Sequence, residues 1–159
     1  MITGISHANI RVNDIDTCLP FYRDVLGLTV TWDECGQNLG EVSSQQSRRA
    51  VFLRWAEGPA QSFVVLQSFP PEVDPGEGGF MARLSALGLN HFGFWVDDLE
   101  PIVARAKAAG TTFVREAAVD CIPRHMGYAD PSQTPCFRTM QLADPENNVV
   151  QLDQWLLPL

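Results

Sequence analysis

Two segments of the chain, GISHANIRVNDID at 4–16 and GLNHFGFWVDDLE at 88–100, are one phrase written twice, 84 positions apart. Gly4, His7, Val12 and Asp14 meet Gly88, His91, Val96 and Asp98 without change. Ile5, Ile10, Ile15 and Asp16 meet Leu89, Phe94, Leu99 and Glu100, which keeps the residue type. A repeat constrains a fold more than any single residue does, because both copies must build the same supersecondary unit.

Each copy opens as a strand. Alternation places Ala8, Ile10 and Val12 on one face of the first, and Phe92, Phe94 and Val96 on the matching face of the second. A helix then covers each apolar face. In the first copy Asp14 or Asp16 caps a helix through CLPFYRDVLG, with Leu19, Tyr22 and Leu26 on one stripe, provided that Pro20 falls in its first turn. In the second, Asp97 or Asp98 caps, Pro101 comes early, and Leu99, Ile102, Val103 and Ala106 form the stripe. Gly27 and Gly110 end the two helices. Three strand-like runs follow each: LTVTWDE, RAVFLRW and SFVVLQSF, then TTFVREA, FRTMQLA and NVVQLDQW.

The pattern predicts an α+β protein of two βαβββ modules, residues 1–69 and 88–159. They are joined by a Pro/Gly/acid linker and a short helix over 70–87. The modules are expected to pair into a curved mixed sheet around one cavity, with helices on the outer face.

Composition narrows the function. A formal charge of −8, with eleven scattered basic residues, is the wrong surface for nucleic acid. No apolar run reaches the ~18 residues that span a bilayer, and the N-terminus lacks signal-peptide order. The expectation is a cytoplasmic protein that binds neither nucleic acid nor membrane. Cys18, Cys35, Cys121 and Cys136 follow no zinc-ligand or C-x-x-C spacing, so all four are expected as free thiols.

The second face of each opening strand carries His7, Asn9 and Arg11, then His91, Gly93 and Trp95. Polar groups packed dry without partners are costly, so this face is expected to line the hollow. Arg11 either clamps an anionic or carbonyl-bearing ligand or reaches solvent. Trp95 and Phe137 are candidates for an aromatic wall, beside Asn9 as a polar contact. His125 and Tyr128, candidate catalytic residues, lie in the long stretch DCIPRHMGYADPSQTP, either closing over a ligand with the histidine moving protons or as ordinary surface residues.

FYRDVLGL at 21–28, HFGFWVDDLEPIVARAKAAG and LADPENNVVQL, in that order, resemble the vicinal oxygen chelate superfamily. Glyoxalase I, fosfomycin- and bleomycin-resistance proteins and extradiol dioxygenases belong to it. The resemblance implies a divalent metal (Fe, Ni, Zn, Co or Mn) held by the first strand and last strand of each module. His7 and His91 match the first-strand positions, and Gln151 stands at the closing glutamate. Asn147 replaces the family's glycine and can still take a left-handed turn. In the first module Gln67 is the metal-capable side chain, although counting back from Pro70 selects Leu66 on the opposite face. Such a set has no negative charge, whereas carboxylates usually add affinity and supply a base. Asp153, on the same side as Gln151, is a substitute ligand or base if a shifted register or a water brings it close.

Two functions stay open, the first being the reading that the paired histidines favour and the second its alternative. One is a metal-dependent enzyme, lyase or isomerase or dioxygenase in type, that engages a small substrate through neighbouring oxygens. The other is a metal-free protein that sequesters a small molecule, as the bleomycin-resistance branch does. Exposed sheet edges lead us to expect a homodimer.

Overall fold

The computed structural model describes residues 5–36, 48–58, 61–68, 91–121 and 136–156. The chain divides into two compact units, Met1–Gly79 and Phe80–Leu159. The predicted linker, the short helix before the second copy, His125 and Tyr128 all lie outside the described residues.

In the first unit β1 (His7–Arg11) leads to a helix, and β2 (Thr29–Gly36), β3 (Arg48–Arg54) and β4 (Phe63–Ser68) follow, in the sheet order β1-β4-β3-β2. β4 lies parallel to β1, and the other pairings are antiparallel. The second unit repeats this with β5 (His91–Val96), a helix, β6 (Thr112–Asp120), β7 (Phe137–Ala143) and β8 (Val149–Trp155), ordered β5-β8-β7-β6. Both halves are therefore the βαβββ modules that the repeat predicts, and the fold is α+β. No described helix is long and apolar enough to cross a membrane.

In the first unit one sheet face is the core. Ile10, Val12, Val51, Leu53, Val64 and Leu66 are each at most 6% exposed and pack with Ile15, Cys18, Phe21, Tyr22 and Val25 of the helix. Burying each such side chain favours the fold by about 1.5–3 kcal/mol.

The first helix departs from expectation. Asp14 does cap it: Oδ1 accepts from Asp16 N–H at 2.9 Å, and Oδ2 from the Thr17 hydroxyl at 2.7 Å. However, α1 spans only Ile15–Pro20, so Pro20 ends the segment rather than sitting in its first turn. Proline has no N–H for the ladder and its ring crowds the preceding turn. The chain continues as a π-helical turn, Phe21–Val25, in which Leu26 N–H donates to the Phe21 carbonyl at 3.0 Å. The buried stripe is Ile15, Cys18, Phe21, Tyr22 and Val25, with Leu19 and Leu26 half-buried.

In the second unit α2 (Glu100–Ala108) has Pro101 in its first turn, and Asp98 Oδ1 accepts from Glu100 N–H at 3.0 Å. Leu99, Ile102 and Ala106 are buried as predicted, with Val103 half-buried. Both helices end on left-handed glycines, Gly27 at φ 83° and Gly110 at φ 66°.

The cysteine expectation fails for one pair. Cys121 and Cys136 form a disulfide that closes the β6–β7 hairpin one step beyond the Asp120–Phe137 pairing. Strand pairing brings together two cysteines whose separation of 15 residues carries no recognisable motif. Cys18 is a buried free thiol and Cys35 an exposed one.

Candidate functional site

The last strand of the second unit is aimed by the turn that precedes it. Asp144, 3% exposed, accepts from Glu146 N–H, Asn148 N–H and Asn148 Nδ2 at 2.7–2.9 Å. Asn147 takes the left-handed conformation, at φ 67°. The DPENN segment is thus a fully hydrogen-bonded corner that fixes where β8 begins.

From that corner the register is set. His91 lies opposite Val149, Gly93 opposite Gln151, and Trp95 opposite Asp153. On the other flank Gln141 faces Gln151 and Thr139 faces Asp153. Directly opposed residues point to the same side of a sheet. One face therefore carries His91, Gly93, Trp95, Gln151, Asp153, Gln141, Thr139, Phe137 and Trp155. Its amides are committed to one another. Gln141 Nε2 donates to Gln151 Oε1 at 2.9 Å, and Gln151 Nε2 donates to the two oxygens of Asp153 at 3.1 and 3.0 Å. Trp95 stacks on Trp155 with ring centroids 4.3 Å apart. Phe137 is buried, at 2% exposure.

In the first unit β1 lies alongside β4 with His7 opposite Phe63, Asn9 opposite Val65, and Arg11 opposite Gln67. Gln67 thus shares a face with His7, while Leu66, 0% exposed, faces the core with Ile10. The two registers differ by one rung. The residue opposite the position two beyond the histidine is Gln151 in the second unit but Val65 in the first. By the same count Gln67 stands where Asp153 stands. It is two rungs, about 13 Å along the strand, from His7. Its Oε1 accepts from Asn9 Nδ2 at 3.0 Å.

His7 is engaged too. Its Nδ1 lies 3.0 Å from the Ser6 hydroxyl, and its ring stacks on Phe63 with centroids 5.1 Å apart. Arg54 lies over the same Phe63 ring, at 4.6 Å. A recess of about 520 Å³ opens beside Arg54, lined also by Thr29, Thr31, Trp55 and Glu57. Sequence reasoning missed Arg54, Phe63, Thr139, Gln141 and Trp155. Their signal is alternation within strands, which marks a face without naming what it holds.

A divalent metal needs several donors converging within about 2.0–2.6 Å. No group of three or more His, Cys, Asp or Glu is close enough among the described residues. Within the first unit an aliphatic Val65 occupies the matching rung. Within the second, the Gln151 amide is already hydrogen-bonded at both ends. Neither unit by itself supplies a full donor set among its described residues, and the set that the resemblance implies draws on both.

The chain belongs to the Glyoxalase/Bleomycin resistance protein/Dioxygenase superfamily, whose family model matches residues 4–152. A glyoxalase family protein from Bacillus cereus is similar to it in structure, with TM-score 0.70 at 17% identity over 99% of this chain and 97% of the other. The trypanothione-dependent glyoxalase I of Leishmania major gives 0.57 at 19% identity, covering 96% and 87%. The fosfomycin resistance protein FosX of Listeria monocytogenes gives 0.57 at 15%, covering 97% and 94%. These likenesses show the fold. No curated protein matches.

Proposed function

We propose that this member of the superfamily is a metal-free binder of a small, flat organic molecule rather than a metal-dependent lyase, isomerase or dioxygenase. The observation that carries this reading is the one-rung difference between the modules. It puts Val65 at the rung that Gln151 holds in the second unit, and Gln151 itself is a neutral amide held by Gln141 and Asp153. What remains suits an organic ligand. In the second unit, taken by itself, a stacked tryptophan pair stands on the face that carries Asp153 and Thr139; in the first, taken by itself, Phe63 stands with His7 and Arg54. Pockets for small molecules combine apolar walls with a few such polar groups.

The metal-enzyme alternative draws its support from His7 and His91, which hold the same place in β1 and β5. The two readings part under chelation. Naphthalene-type probes are expected to quench tryptophan fluorescence saturably and identically with and without excess EDTA. Loss of binding on chelation would favour the metal reading. We further propose a homodimer that pairs through exposed sheet edges. A monomeric mass by light scattering at high concentration would contradict the dimer.

A further inference from the structure

We propose that Asp153 anchors a protonated amine carried by an aromatic ligand, with Trp95 and Trp155 as the wall against which its ring lies. This deepens the metal-free reading above and rests on it.

Asp153 is 8% exposed, yet a single neutral nitrogen, Gln151 Nε2, serves both its oxygens. A carboxylate has about four acceptor positions, and burying one without a cation is costly. Among the described residues no cation supplies the difference. Arg115, on β6, is turned to Asp120 at 3.9 Å, and Arg138, one residue from Thr139 and so on the opposite face, pairs with Glu100. Beside Asp153 lies a second unspent group. Thr139 faces it across β7–β8, is 1% exposed, and its Oγ1 has no hydrogen-bond partner.

Access comes from Gly93. A Cβ placed there would lie 3.7 Å from Asp153 Oδ2 and 3.7 Å from the Gln151 Cβ. Gly93 is itself exposed and sets no side chain beside Asp153 Oδ2, while Trp95 stands directly across the strand pair from Asp153. One rung further, Trp95 is 51% exposed and stacked on Trp155.

An ammonium group carries three donors, enough for both Asp153 oxygens and the Thr139 hydroxyl. The adjoining indole faces attract a cation and stack on a flat ring. An anion placed here would meet Asp153 directly, and a neutral hydroxyl would leave the charge uncompensated.

The test is calorimetric titration of the whole chain at neutral pH with three probes of one shape: naphthylmethylamine, naphthylmethanol and naphthoate. The amine is expected to bind at least about tenfold more tightly than the alcohol, with the acid weakest. Asp153→Asn should reduce the amine-to-alcohol ratio to about one. Trp95→Ala, at a half-exposed position, should weaken amine and alcohol together and keep their ratio. Equal binding of all three probes by the native chain would overturn the amine anchor and leave the metal-free reading standing. So would an undiminished amine preference in Asp153→Asn. No binding of any probe, together with stoichiometric metal uptake, would overturn both.

Discussion

Gln151 presents its amide oxygen to Gln141 and its amide nitrogen to Asp153, so a neutral side chain with both a donor and an acceptor is what this rung requires. Substituting Gln151→Glu keeps the length but removes the donor and sets a second carboxylate about 3 Å from the first. The expected cost is about 1–3 kcal/mol at neutral pH, measured by urea unfolding. A gain in stability at neutral pH would mean that a cation is present to meet the added charge. A second residue-scale prediction concerns Arg49. Its guanidinium binds Asp33 at 2.8 and 2.9 Å and Asp16 at 2.8 Å. The hydrogen bond from Arg49 holds the Asp33 carboxyl below its ordinary value of 3.8. A depressed carboxyl stabilises the fold above its unfolded value, and that contribution is lost as the pH falls through the lowered one. Both partners are partly exposed, so Arg49→Met should cost no more than about 1 kcal/mol at pH 7. Unfolding midpoints of the two proteins should converge well below pH 3.8. A difference that persists there would place the effect in packing of the arginine stem.

At the scale of elements, the β6–β7 hairpin is closed by the Cys121–Cys136 bond, with the two cysteines 15 residues apart. Closing a loop of that length restricts the unfolded chain by about 3 kcal/mol. Replacing both cysteines by serine should lower unfolding stability by about that amount, and reduction of the native protein should do the same. An unchanged midpoint under reductant would show that strand pairing alone holds the hairpin. Alternation, glycine stops and Asp caps made the eight strands and the two described helices readable in advance, because each of those signals acts over a few neighbouring residues. What stayed hidden was non-local. The disulfide depends on β6 and β7 lying side by side.

For the whole molecule, the repeat was legible down to the matched positions of His7 and His91, and so was the superfamily. The candidate site was legible only in part. Gln67 and Gln151 are each 60 positions from their histidines, so sequence offset makes them counterparts. Strand pairing sets Gln67 one rung further on and leaves Val65 in the matching place. A two-residue difference in register is invisible to counting, because it preserves the face on which every side chain lies. That difference is why we regard the modules as retaining the fold of their superfamily while holding an organic ligand without metal. The measurement that bears on this most directly is the metal content of protein purified without chelators, followed by calorimetric titration with Fe(II), Ni(II) and Zn(II). The account predicts far less than one metal ion per chain and no saturable heat from any of the three. One tightly retained ion per chain, lost together with ligand binding on chelation, would contradict it.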